Sequence, residues 1–373
     1  MPFRDRVRSP GPKKLLALDG GGIRGVITLE VLLQLESMLA VQLGVEDDFV
    51  LGDYFDYIGG TSTGAVIATG LALGLRVEQI LDLYVTRCKE MFDHASLRHR
   101  YQYRYGDQRL RELLQGMVGT DTTLGSEDLK TLLLIIVRNA TTDSPWPLSN
   151  NPNALFNDPS RADNNLTIPL WQLVRASTAA PTYFPPEVVT LGGRDYVFVD
   201  GALTMYNNPA FQLFLMATLD EYRLGWPATE SDLLLVSVGT GTSAKADDHL
   251  RPGNMNLLFN ANSVPAALMY AALNEQDLLC RVFGRCRHGA PIDLEVGDLM
   301  RGQGLLAKRL FSYVRYNADL SRRGLDDLGL DDVVPEEVQG LDSVQRVGDL
   351  RRVGQAAARD VALEHFAGFL GHP

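Results

Sequence analysis

The sequence predicts an α/β fold built on a mainly parallel central sheet, and three observations predict it. Apolar runs of strand length alternate with segments of helical periodicity. The runs are near-continuous rather than alternating, as strands buried on both faces require. Three of them end in glycine turns, at Gly20, Gly60 and Gly201, at the carboxyl ends of strands, beyond which such sheets hold ligands.

Residues 1–12 are charged and Pro-rich and read as a flexible lead; they lack the apolar core of a signal peptide. Leu15 to Leu18 reads as a buried strand, and "VITLEVLLQLESMLAVQL" after the glycines as a helix with a wide apolar face. "YFDYIGG" is a second strand running into "TSTGAVIATGLALG", whose small apolar residues suit a helix packed inside the fold. "VEQILDLYVTRCKEMF" and "DQRLRELLQGMVG" are amphipathic helices, and "LKTLLLIIVRNA" is a third buried strand. "WQLVRASTAAPTYFPP" reads as a helix stopped by Pro181, Pro185 and Pro186. "RDYVFVDGA" and "DLLLVSVGTGT" are two further strands ending in glycine turns. From about Asn254 the pattern turns helical, and Val338 to Leu370 places Leu341, Val344, Val347, Leu350, Val353, Ala357, Val361 and Phe366 at helical spacing. There is neither a strong linker nor an internal repeat, so one domain over 13–330 is expected, with a C-terminal helical extension over 331–373 packed on it.

Composition narrows the function classes. The 373 residues are 45% hydrophobic and 22% charged, an ordinary globular balance. With 46 acidic against 35 basic residues the formal charge is −11, which gives no general attraction to phosphate polymers. Nucleic acid is therefore not an expected partner, and bulk adsorption to anionic membranes is disfavoured, though a local docking patch is compatible. Three cysteines, Cys88, Cys280 and Cys286, are too few for a disulfide scaffold, and no Cys/His spacing suggests zinc. The longest apolar run, Leu132 to Val137, is too short to span a bilayer as a helix. The expectation is a soluble cytoplasmic protein, peripheral at the inner membrane surface at most, with no metal and no cofactor.

The second glycine turn carries G-x-S-x-G as Gly60-Thr61-Ser62-Thr63-Gly64. A sharp turn between strand and helix projects the serine oxygen into the cleft, close to a helix N-terminus that favours developing negative charge. A serine at its free pKa needs a base. The histidines are His94, His99, His249, His288, His365 and His372; none occupies a strand-end glycine turn, and each reads as a solvated surface residue, with His249 and His288 left open as bases. Asp200 is better placed, at the end of a strand and followed by Gly201; its alternative is a turn or cap aspartate. The first turn, Gly20, Gly22 and Gly25, also matches the G-x-G-x-x-G of a dinucleotide cradle, with Glu46 to Asp48 near the distance of a ribose-binding acid. That reading leaves the Ser62 and Asp200 turns unexplained and puts the Asp19 carboxylate directly before an anion site.

"DGGGIRG", "GTSTG" and "DGA", in this order, with "RASTAAPTYFPP" before the third and "SVGTGT" after it, resemble the patatin-like phospholipases and acyl hydrolases over Lys14 to Thr242. The resemblance implies a three-layer α/β/α catalytic domain with additional C-terminal helices. It implies Ser62 as nucleophile and Asp200 as its partner in a Ser–Asp dyad without histidine. Gly21, Gly22 and Ile23 match the loop whose backbone N–H groups form the oxyanion hole; Arg24, Gly20, Gly25, Gly60, Gly64 and Gly201 match supporting positions. Ala202 stands where the family accepts glycine or alanine. The activity implied is metal-independent hydrolysis of fatty acyl esters through an acyl-enzyme, of phospholipase A or lysophospholipase type, with a membrane phospholipid or other acyl lipid as substrate. Acyl transfer from the same acyl-serine is the alternative.

Other segments stay open at this level. Arg24 either steadies the loop or attracts a lipid phosphate, or pairs with an acidic neighbour. "LRHRYQYRYG", Leu97 to Gly106, is a docking patch for anionic lipid or a regulatory nucleotide, or a solvated connector. Some bacterial members of the family are switched-on effectors that degrade membranes, which brings a regulatory small ligand, oligomerisation and transient membrane docking into view. The Leu-, Phe- and Met-rich stretch Asn256 to Gly284 covers the cleft or packs in the core.

Overall fold

A computed structural model describes residues 3–45, 48–92, 103–242, 251, 257–301 and 306–371. Its strands are β1 (Lys13–Leu18), β2 (Tyr57–Thr61), β3 (Leu132–Asn139), β4 (Ser144–Ser149), β5 (Glu187–Leu191), β6 (Arg194–Asp200), β7 (Leu233–Val238), β8 (Arg285–His288) and β9 (Ser312–Tyr316). They form one sheet in the order β5-β6-β3-β2-β1-β7-β9-β8, with β4 paired to β3 off that path. From β3 to β8 every pairing is parallel; β4, β5 and β6 add antiparallel pairings on the other side.

The helices are α1 (Phe3–Arg8), α2 (Gly25–Leu43), α3 (Leu51–Tyr54), α4 (Thr63–Ala72), α5 (Val77–Met91), α6 (Gln108–Val118), α7 (Leu170–Ser177), α8 (Ala210–Thr218), α9 (Leu257–Phe283), α10 (Arg322–Asp327), α11 (Pro335–Val338) and α12 (Val347–Ala357). Successive strand residues point to opposite faces, and the core divides accordingly. Leu16, Leu18, Ile58 and Ile135 pack with α2, α4, α5, α6, α7 and α12. Leu15, Ala17, Tyr57, Leu134 and Leu235 pack with α8 and the Cys280 end of α9. The result is the three-layer α/β/α arrangement.

Register positions the site. Leu18 lies opposite Gly60 and Val238, so the first and second glycine turns leave neighbouring strands at one level. Thr61 lies opposite Ile136, while Val137 lies opposite Asp200 on the antiparallel β6. Because β3 runs on past the end of β2, the last residue of β6 returns to within one rung of Ser62.

Several expectations are revised. The supposed flexible lead contains α1, whose Arg6 donates through Nη1 to the Gly52 carbonyl (2.7 Å) and through Nε to Asp56 (3.3 Å). Val7 is buried, and its carbonyl accepts from the Trp226 indole. The helical tail after Asn254 is interrupted by β8 and β9, which extend the sheet; the charge of Arg315 hides "SYVRY" from an apolar scan. Val338 to Leu370 is not one helix: it breaks after α11 and again after α12, although Leu350, Val353 and Phe366 are buried as the spacing requires. The segment Gly22–Leu43 is long and apolar enough to cross a membrane by length and composition, which the scan for apolar runs missed; most of its apolar window is buried inside the fold. Cys88, Cys280 and Cys286 are free and buried.

Candidate active site

Ser62 sits alone between β2 and α4 at φ 54° and ψ −122°, a backbone conformation that costs a non-glycine residue free energy. The turn closes because its neighbours have no side chains to obstruct it. A Cβ on Gly64 would fall on the Leu18 carbonyl oxygen, and one on Gly60 on the Gly64 carbonyl. The Ser62 carbonyl starts α4 by accepting from the Ala65 and Val66 N–H groups (2.9 and 3.2 Å). Its own N–H donates to Ser177 Oγ (2.9 Å).

The Ser62 hydroxyl donates to Asp200 Oδ2 at 2.7 Å. Asp200 is buried, and its Oδ1 accepts from the Ala202 N–H (2.8 Å). Burial pushes the Asp200 carboxyl up to about 6; the Ala202 amide, the Ser62 hydroxyl and the Arg175 guanidinium oppose that rise. Arg175 is itself fully buried and donates to the Pro185 carbonyl (2.9 Å); among the described residues its Nε and Nη1 have no hydrogen-bond partner. Gly201 begins the turn after Asp200 and lies against the Ile136 carbonyl. A base near pH 6 is still mostly ionised at neutral pH and is stronger than an ordinary carboxylate.

The glycine loop runs alongside this pair. The Gly20 N–H donates to the Asn207 carbonyl (3.0 Å), and its Cα faces Ser62 Cβ; Gly25 opens α2 against Thr63. Among the described residues no acceptor meets the N–H of Gly21 or of Gly22. Gly22 has φ +61°, and the Leu341 carbonyl oxygen lies where its Cβ would be. The expected third donor differs: the Ile23 N–H donates to that Leu341 carbonyl at 2.9 Å, so two of the three amides are free.

Arg24 donates to the Gly21 carbonyl (3.4 Å) and has no carboxylate partner among the described residues. Burial lowers its pKa to about 10, against the pull of Asp19. Asp19 instead meets Arg315 in a bidentate pair (2.9 and 2.5 Å) that is almost wholly buried. The Asp19 carboxylate is therefore countered by Arg315 and does not by itself argue against an anion at this loop; what the dinucleotide reading leaves unexplained is the Ser62–Asp200 contact.

Sequence reasoning missed Arg315 and the roles of Leu341 and Ser177, although Leu341 stands in the helical spacing and Ser177 inside the quoted "RASTAAP". It also misplaced two histidines. His365 is buried, bonds through Nδ1 to Tyr316 Oη (2.8 Å) and stacks on His288 at 4.5 Å. Burial lowers the pKa of both, and neither bonds to Ser62. His94, His99, His249 and His372 lie outside the described residues, as do 46–47 and most of Leu97 to Gly106. Within the described end of that stretch, Tyr105 Oη donates to Asp342 (2.8 Å) and Arg104 pairs with it (3.6 Å). Among the described residues no three His, Cys, Asp or Glu side chains are grouped as a metal site needs.

A family model described as Patatin-like phospholipase matches residues 16–214. A cGAMP-activated phospholipase of Vibrio cholerae is 32% identical over 239 residues, 61% of this chain and 64% of that protein. A protein of the same name from an Escherichia coli strain is 30% identical over 234 residues, covering 61% and 62%. Patatin-17 of Solanum cardiophyllum is 29% identical over 260 residues, covering 62% and 61%. The chain thus spans less than two thirds of the length of each of these relatives. Among solved structures, VipD from Legionella pneumophila superposes with a TM-score of 0.40 at 14% identity, covering 92% of this chain and 67% of that one.

Proposed function

Because this chain belongs to the patatin-like phospholipase family, we propose that it hydrolyses fatty acyl esters of lipids through a Ser62–Asp200 dyad. The observation that carries this reading is the 2.7 Å bond from the Ser62 hydroxyl, held on a strained turn, to a buried carboxylate.

Asp200 removes the Ser62 proton as Oγ attacks the ester carbonyl carbon. The tetrahedral intermediate places negative charge on the former carbonyl oxygen, which the free Gly21 and Gly22 N–H groups face, with the Arg24 cation behind them. Collapse breaks the ester C–O bond; the proton on Asp200 passes to the departing alcohol or lysolipid, and the acyl group stays on Ser62. Asp200 then takes a proton from water, the hydroxide adds to the acyl carbon, and fatty acid leaves as Ser62 recovers its proton. The carboxylate does this base work without histidine because burial has already raised its proton affinity.

The substrate in this reading is a membrane phospholipid or lysophospholipid, met at the inner surface by a cytoplasmic protein. Leu203 and Met205, exposed just past Asp200, supply an apolar rim for transient contact with acyl chains. A small-ligand regulator, which the names of the Vibrio and Escherichia relatives state for those proteins, belongs to the reading too. Its support here is the Leu341 carbonyl on the Ile23 amide: displacing that segment frees a third donor.

The test is a panel of phospholipids and neutral glycerides assayed by product mass with wild type, Ser62→Ala and Asp200→Asn. Free fatty acid release by wild type, lost in both variants while their circular dichroism is unchanged, is the expected result. Retained turnover in Ser62→Ala overturns the dyad; ester products with added alcohol, and little fatty acid, identify a transferase instead.

A further inference from the structure

Resting on the reading of Ser62 as nucleophile, we propose that Ser177 is a positioning residue whose hydroxyl stands in for a missing rung of the sheet and thereby sets the Ser62–Asp200 geometry. β2 and β3 run parallel as far as Thr61 opposite Ile136. The positive φ at Ser62 then turns the chain out of the ladder. Ser177 Oγ fills the gap: it accepts from the Ser62 N–H at 2.9 Å and donates to the Ile136 carbonyl at 2.7 Å. A hydroxyl has one proton to give and lone pairs to accept with, so a single atom satisfies both backbone groups. Ser177 is fully buried.

The same carbonyl anchors the other half of the dyad. Asp200 is paired opposite Val137, the next residue of β3, and Gly201 lies so close to the Ile136 oxygen that a Cβ there would fall on it. Nucleophile and base are thus both referenced to Ile136 and Val137 of β3, one through the Ser177 hydroxyl and one through strand pairing. Removing the hydroxyl takes from the Ser62 N–H and the Ile136 carbonyl the atom that bridges them, and the elbow loses the contact that fixes its rotation. Ser177 has no surface for a substrate to touch, so the defect is expected in turnover rather than affinity.

The ionisation of Asp200 supplies an independent readout. The charged group that faces Asp200 is Arg175, two residues before Ser177 on α7, and the other groups that stabilise its carboxylate are the Ala202 amide and the Ser62 hydroxyl. Replacing Ser177 removes none of these groups; it only loosens the hold on the Ser62 hydroxyl. A carboxylate that loses that donor binds its proton more readily, so the acid limb of the rate profile moves to higher pH.

The experiment measures kcat and KM on p-nitrophenyl butyrate through the acidic and neutral range for wild type, Ser177→Ala, Ser177→Cys and Ser62→Ala, with thermal melting of each. Ser177→Ala is expected to lose about ten- to a hundredfold in kcat, with KM nearly unchanged, as a small displacement of reacting groups does, and to shift the acid limb upward; Ser177→Cys falls between. Should the alanine protein not fold, Ser177→Cys decides by the same two readouts. A loss in kcat that only follows the folded fraction, with the acid limb unmoved, overturns the positioning role. Turnover that survives in Ser62→Ala instead removes the nucleophile reading beneath it, and the two failures are told apart.

Discussion

Asp200 is where burial, chemistry and stability meet in one carboxyl group. Its folded pKa, about 6, lies above the ordinary aspartate value of ~3.9. The folded state therefore binds this proton more readily than the unfolded chain does. The stability this contributes is fully present below the unfolded value and is lost as pH rises through the folded one. At neutral pH the ionised, buried carboxylate costs up to about 3 kcal/mol. Asp200→Asn is accordingly expected to melt higher than wild type at neutral pH, with the difference fading as the pH falls below about 4, while its esterase activity is lost. Wild-type kcat/KM should rise with pH through a limb centred near 6. Melting curves and rate profiles at matched pH check both; a limb near the ordinary carboxylate value contradicts the account of the base.

At the scale of elements, the glycine loop is fixed by a strand that the sequence pattern conceals. β9, one strand from the edge, carries Arg315, which donates to Ser237 Oγ on the neighbouring β7 (2.6 Å) and meets Asp19 at the end of β1. Breaking a buried pair from one side leaves an uncompensated charge and costs about 3–5 kcal/mol. Arg315→Met is thus expected to melt far below wild type, and Asp19→Asn combined with Arg315→Met to recover part of the loss. A double variant no more stable than the single one contradicts a buried pair. This contact also marks the limit of legibility. β1, β2, β3, β6 and β7 are near-continuous apolar runs, and reading them located Ser62 and Asp200. β9 is short and interrupted by a charge whose partner lies 296 positions away, a fact that no local window contains. β4 carries two prolines and pairs only with β3, so it too lacks the pattern of a buried strand. The break at Leu341 escaped for a related reason: helical spacing marks which residues are buried, not where the backbone leaves the helix.

Across the whole molecule, the site is assembled from widely separated parts of the chain. Residues 19–25 and 62 leave adjacent parallel strands, Asp200 returns on an antiparallel one, and Leu341 arrives from the segment between α11 and α12. The C-terminal segment is therefore part of the site's wall, and α12 packs on α2, the helix that begins at the glycine loop. The free Gly21 and Gly22 amides, the strained turn and the raised base all have one purpose in this account, a covalent acyl-Ser62. The most direct measurement is peptide mapping after reaction with a fluorophosphonate, which needs an activated serine and an oxyanion site but no particular lipid. One adduct is expected, on the peptide containing Ser62, formed by wild type and absent from Ser62→Ala. Labelling of a different residue, or equal labelling of the Ser62→Ala protein, would contradict it.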